Sequence, residues 1–316
     1  MSPAPASLPT PTPDPALPAR VRVHEVGPRD GLQNERAVVP VEVKAEFIHR
    51  LADAGLTTIE ATSFVRPDRV PQLADAEDLW PRLADLPGVR LPALVPNARG
   101  LDRALALGVR EVAVFASVTE SFARANLGRS VDASLDMFAP VVTRATDAGV
   151  PVRGYLSMCF GDPWEGEVPI PRVVAVARRL LDLGCAELSL GDTIGVATPG
   201  RVTALLAALG DAGIGAERLA VHFHDTYGQA LANTLAALRY GVTTVDASAG
   251  GLGGCPFARS ATGNLATEDL LWMLRGLGIE TGVDLDRLTA ASLWMARHLG
   301  RPSPSRTVRA SAPEEA

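Results

Sequence analysis

The chain has 316 residues, 47% of them hydrophobic and 21% charged, with a formal net charge of -6. These proportions belong to a soluble globular protein with ample material for a core, and they exclude wholesale disorder. A net negative chain without long runs of one sign excludes a basic nucleic-acid surface and a polybasic membrane patch, and no stretch approaches the roughly 20 apolar residues that span a bilayer.

Residues 1–20 hold seven prolines and no apolar block, which predicts an extended, disordered leader. The segment lacks the apolar centre of a secretory signal, and it has only Arg20 where a mitochondrial presequence needs several arginines. Cys159, Cys185 and Cys255 form no CxxC pair and no disulfide framework, so the expected compartment is a reducing cytoplasm.

From residue 21 to 285 one theme recurs: a short β-branched or apolar run, a turn, then an amphipathic helix. The runs are Val21–Val26, Thr57–Ala61, Arg90–Val95, Glu111–Ala116, Val152–Met158, Ala186–Leu190, Leu219–Phe223 and Thr244–Ala247. Helical patterns between them include Leu101–Leu107, Arg172–Leu183, Val202–Leu209 and Ala230–Tyr240, and several end in a glycine suited to a left-handed cap, such as Gly184 and Gly241. Strands alternating with helices pair in parallel through right-handed crossovers. Eight units in this length predict an α/β fold of the (β/α)8 TIM-barrel type, and no glycine-rich dinucleotide turn follows the first strand. Residues 286–316 read as a C-terminal helix and a flexible tail.

Barrel chemistry gathers at the C-terminal strand ends. Arg29 and Asp30 follow the first strand, and Glu60, Thr62 and Ser63 end the second. Asp192 and Thr193 follow the sixth, His222 and His224 close the seventh, and Cys255 and Asn264 come after the eighth. Lone histidines are ordinarily core or surface residues, and His24, His49 and His298 read that way. His222 and His224 are two apart on a strand and share one face, so both imidazoles can enter the barrel mouth. Asp30 and Asn264 can approach the same point from adjoining strand ends, giving two imidazoles, one carboxylate and one amide oxygen for a divalent metal.

Arg29 beside Asp30 is either a surface ion pair or a guanidinium that stabilises a developing oxyanion. Glu60 lies in an apolar strand and needs a partner, for which Arg29 is the candidate. Asp192 either orients a ligand or caps the following helix. Four glycines within Gly250–Gly254 make a lid-like loop that presents Cys255 for proton handling.

VGPRDGLQNE (26–35) resembles the first-strand signature of 3-hydroxy-3-methylglutaryl-CoA lyases. IEATSFVRPDRVPQLAD (59–75), SLGDTIGVATPG (189–200), VHFHDTYGQALANTL (221–235) and GGLGGCPFARSATGNLATEDL (250–270) are similar to further family segments. The resemblance implies metal-dependent cleavage of that thioester to acetoacetate and acetyl-CoA, a step of leucine breakdown, with Mg2+ or Mn2+. It implies Asp30, His222, His224 and Asn264 as metal ligands, Arg29 as an essential arginine, Cys255 as the glycine-loop cysteine, and Glu60 and Asp192 as supporting acids. Gln33, Ser63 and Thr193 fall in its substrate-facing motifs, and a homodimer is its expected assembly. Asp30, His222 and Cys255 remain alternative general bases. The rival readings are a lyase for a bulkier 3-hydroxyglutaryl-CoA, a condensing synthase, and an inactive barrel. Synthases of this type usually continue His-x-His with Asn-Asp, whereas this chain has Asp225-Thr226.

Overall fold

A computed structural model describes residues 8–254 and 263–312. In chain order the elements are β1 (Arg22–Glu25), α1 (Val41–Asp53), β2 (Thr62–Ser63), α2 (Ala76–Leu79), β3 (Ala93–Leu94), α3 (Ala98–Ala106), β4 (Val112–Ser117), α4 (Glu120–Leu127), α5 (Val131–Asp147), β5 (Val152–Ser157), α6 (Ile170–Leu183), β6 (Glu187–Asp192), α7 (Pro199–Asp211), β7 (Leu219–Phe223), α8 (Ala230–Tyr240), β8 (Thr244–Ala247), α9 (Thr267–Gly276), α10 (Leu285–Leu299) and α11 (Arg306–Ser311). The strands pair in parallel in the order β1-β8-β7-β6-β5-β4-β3-β2. The ring closes where Glu25 N–H donates to Thr58 O (3.0 Å) and Glu60 N–H donates to Glu25 O (2.8 Å). This is the expected (β/α)8 barrel.

The second strand is shorter than its sequence suggests. Thr58 and Ile59 make only isolated bridges, and regular pairing begins at Thr62. Pro92 has no N–H to offer across this ladder, so only its carbonyl serves, accepting from Ala61 N–H at 3.0 Å.

The main core lies between the strands and the helix ring. Helix α6 shows how it is built, burying Val173, Val176, Ala177 and Leu180 at helical spacing. Inside the barrel the packing differs. Leu94, Ala113 and Tyr155, with Phe115 against them, form a small separate cluster. Around it lie the buried polar side chains of His24, Arg153, Ser189 and Asp246. Arg153 on β5 donates to Asp246 on β8 at 2.6 Å. Those strands are not neighbours, so the pair crosses the barrel interior.

The described parts of both chain ends, residues 8–20 and 301–312, are held against the barrel. Thr12 N–H donates to Gly276 O (2.8 Å) and Glu280 N–H donates to Ala19 O (2.9 Å), so the described leader lies along the barrel. Its prolines already confine the backbone to extended shapes, and docking costs little further entropy. At the other end the Ser305 hydroxyl accepts from Val308 N–H and caps α11, whose Val308 is fully buried.

Candidate active site

After β1 the chain makes one wide π-helical turn, Gly27–Gly31, closed by Gly31 N–H donating to Val26 O at 3.1 Å. Such turns re-aim consecutive side chains and recur at functional sites. Glycine is required at both ends, because a Cβ on Gly27 would meet Glu25 Oε1 at 2.6 Å and one on Gly31 would meet Leu252 Cβ at 2.8 Å. The turn sends Arg29 into the barrel. Its Nε and Nη2 each lie 2.8 Å from Glu60 Oε2, and its Nη1 lies 2.7 Å from Asp30 Oδ1. Arg29 is only 6% exposed, which rules out the surface ion pair considered from sequence. The Tyr155 hydroxyl also donates to Glu60 Oε2 (2.9 Å), and the Arg29 guanidinium stands 5.2 Å from the Tyr155 ring centroid.

Asp30, His222 and His224 converge, each offering a ligand atom within 4.8 Å of the others. Burial pushes the Asp30 carboxyl up, but Arg29 and the two imidazoles outweigh it and hold the group below its usual range. Asn264 Nδ2 donates to Asp30 Oδ2 (2.8 Å) and to Leu252 O (3.0 Å). Its Oδ1 is buried with no hydrogen-bond partner among the described residues. An orphaned buried amide oxygen is costly unless something electropositive meets it. With a carboxylate and two imidazoles beside it, the donor set fits a divalent cation of the Mg2+ to Mn2+ type.

The other expected residues have distinct positions. Asp192 accepts from the N–H groups of Val196 (2.9 Å) and Ala197 (3.0 Å), so it shapes the loop entering α7. Burial pushes its carboxyl up to about 6. The Thr193 hydroxyl accepts from Met158 N–H (3.0 Å) and steadies a residue in the left-handed region, with φ 62°. Ser63 is buried, with no partner for its hydroxyl among the described residues. Gln33 is half-buried just past the π turn. Cys255 lies outside the described residues.

Sequence reasoning passed over several buried groups. Asp246 Oδ2 lies 3.2 Å from His222 Nδ1 and accepts from Ser189 Oγ at 2.8 Å. Arg153 and Tyr155 face the same interior. Glu25 accepts from Gly27 and Ala249 N–H, and Glu268 accepts from Gly250 N–H and Ser292 Oγ. The signal was available, since a carboxylate or guanidinium in an apolar strand demands a partner wherever it occurs.

A (β/α)8 barrel with buried arginine, paired imidazoles, carboxylate and amide oxygen at its C-terminal mouth is the architecture of an enzyme with a candidate divalent-metal centre. The chain belongs to the HMGL-like family, whose model matches residues 20–294. It is 52% identical to the Arabidopsis thaliana mitochondrial hydroxymethylglutaryl-CoA lyase over 290 residues, covering 92% of this chain and 62% of that protein. A relative from Danio rerio, 51% identical over 94% of this chain and 88% of its own length, is named as cytoplasmic. Among solved structures, the Pseudomonas aeruginosa hydroxymethylglutaryl-CoA lyase superposes with a TM-score of 0.91 at 47% identity, covering 93% of this chain and 98% of that one. An HMG-CoA lyase from Acinetobacter baumannii, solved with coenzyme A and 3-methylmalate, gives 0.89 at 34% identity, covering 96% and 99%.

Proposed function

We propose that the chain is a hydroxymethylglutaryl-CoA lyase, cleaving 3-hydroxy-3-methylglutaryl-CoA to acetoacetate and acetyl-CoA. The observation that carries this reading is the convergence of Asp30, His222 and His224, with the orphaned Asn264 oxygen, beside a buried Arg29. In the reaction the 3-hydroxyl loses its proton, the C2–C3 bond breaks, and its electron pair passes to C2 and the thioester oxygen. Protonation of C2 then gives acetyl-CoA, while C3 becomes the ketone of acetoacetate.

Asp30, His222, His224 and Asn264 would hold Mg2+ or Mn2+, which supplies Lewis-acid charge and a template for substrate oxygens. Arg29 supplies positive charge for the developing enolate oxygen, and Glu60 and Tyr155 fix its direction. Asp192 and Thr193 keep the neighbouring loops in place, and Ser63 and Gln33 lie toward the substrate. Cys255, on the glycine-rich segment, is the candidate for handling the proton at C2, with Asp30 and His222 as alternative bases for the hydroxyl. Coenzyme A in the Acinetobacter relative supports a CoA-thioester substrate.

We place the protein in the cytoplasm on its three widely spaced cysteines, which form no CxxC pair, and as a homodimer on its resemblance to the family. Both mitochondrial and cytoplasmic labels occur among relatives, and no described helix is long and apolar enough to cross a membrane. Turnover of the thioester by purified protein tests the activity. Absence of acetoacetate from metal-replete enzyme, with cleavage of a bulkier 3-hydroxyacyl-CoA instead, would transfer the assignment to that substrate.

A further inference from the structure

Asp246 is fully buried in β8, and each of its hydrogen-bond neighbours comes from a different strand. Its Oδ1 accepts from Arg153 Nη2 of β5 (2.6 Å). Its Oδ2 accepts from Ser189 Oγ of β6 (2.8 Å) and Arg153 Nη1 (3.2 Å), and lies 3.2 Å from His222 Nδ1 of β7. His24 of β1 stands beside it in register. Two guanidinium N–H groups and a hydroxyl all donate to this carboxylate, the surroundings of an ionised acid. An ionised carboxylate accepts hydrogen bonds and donates none. A neutral His222 can therefore satisfy this contact only by carrying its proton on Nδ1. The other ring nitrogen, Nε2, lies 4.0 Å from Asp30 Oδ2, on the side of the candidate metal ligands.

We propose that Asp246 is a positioning residue that locks His222 in the Nδ1–H tautomer and turns its Nε2 lone pair toward Asp30, His224 and Asn264. The proposal rests on the metal-site reading above and gives it an outer shell: Arg153 and Ser189 orient Asp246, Asp246 orients His222, and His222 completes the site. Imidazole ligands are commonly set this way, and loss of the outer partner lowers metal affinity or activity about 10- to 100-fold. Asp246→Asn keeps the shape but introduces an NH2 group that can donate to Nδ1, which favours the opposite tautomer, as in amide substitutions at catalytic triads.

The test uses the full chain labelled with 15N-histidine and stripped of metal. At alkaline pH, NMR of the wild type should show His222 protonated at Nδ1. This needs no variant, so it decides the assignment even if Asp246→Asn fails to fold. In a folded Asp246→Asn the tautomer preference should be lost or reversed, and Mn2+ affinity by calorimetry should fall about 10- to 100-fold. A wild-type proton on Nε2 overturns the proposal. So does an Asp246→Asn protein with lowered thermal stability but the wild-type tautomer and Mn2+ affinity, since that is what a purely structural residue would give. Failure of the wild type to bind Mn2+ would remove the metal reading, while the tautomer spectrum would still decide what Asp246 does.

Discussion

Arg29 carries a positive charge into a nearly fully buried position, where its value depends on being aimed and on being neutralised. Glu60 and Asp30 do both. Arg29→Gln keeps part of the hydrogen bonding and removes the charge, so kcat should fall about 10²- to 10³-fold, the usual cost of losing an oxyanion donor. Mn2+ affinity by calorimetry should stay close to wild type. His224→Ala should weaken Mn2+ binding and turnover together. Glu60→Ala leaves a buried guanidinium short of its partner, and chemical denaturation should show a loss of roughly 3–5 kcal/mol. These residues were legible one by one, because His-x-His spacing, an Arg-Asp pair and a carboxylate in an apolar strand are local signals. Asp246 and Arg153 carried the same local signal within Thr244–Ala247 and Val152–Met158. Their meeting across the barrel depends on strand tilt and closure, which no short stretch of sequence displays.

Two buried carboxylates organise the element that follows β8. Glu25 and Glu268 accept from Gly27, Ala249 and Gly250 N–H, and from the Thr267 and Ser292 hydroxyls. Burial pushes Glu25 up to about 7 and Glu268 up to about 8, against those donors. A carboxyl raised on folding binds more protons folded than unfolded, so its stabilising contribution is full below the unfolded value of 4.5. It is lost as pH rises through the folded value. Thermal unfolding of the metal-free protein should therefore drop between about pH 5 and 8, and Glu268→Gln should flatten that slope.

The C-terminal segment belongs to the same region. Ser303 Oγ donates to Gly250 O (2.8 Å), Arg301 pairs with Glu35, Arg306 pairs with Asp225 (2.8 Å), and Asp269 accepts from Ser305, Arg306 and Thr307. The strap therefore joins the loops after β1, β7 and β8. A chain ending at Gly300 should keep its far-ultraviolet circular dichroism and lose much of its kcat/KM. Nothing in the composition of 301–312 announced this, because its anchors are single polar side chains meeting distant loops. The glycine-ended helices, by contrast, were plain, and the glycines expected at caps, Gly184 and Gly241, have positive φ of 113° and 106°.

At the scale of the molecule, alternation of strand and helix fixed the barrel, and the barrel fixed which face carries the chemistry. The unusual feature is its interior, where Arg153, Asp246, Glu60 and Tyr155 replace much of the branched apolar packing common in such barrels. That ionic layer lies beneath the mouth and supports Arg29 and His222 from below. This supported cluster, proposed to hold a divalent cation, is arranged to cleave a 3-hydroxyacyl thioester. The most direct measurement is release of acetoacetate and acetyl-CoA from 3-hydroxy-3-methylglutaryl-CoA by EDTA-stripped enzyme, before and after Mn2+ or Mg2+ is restored. Equal amounts of both products, formed only with metal, are the expected result. Cleavage at the same rate in EDTA-stripped enzyme, or none after metal has demonstrably bound, would contradict it.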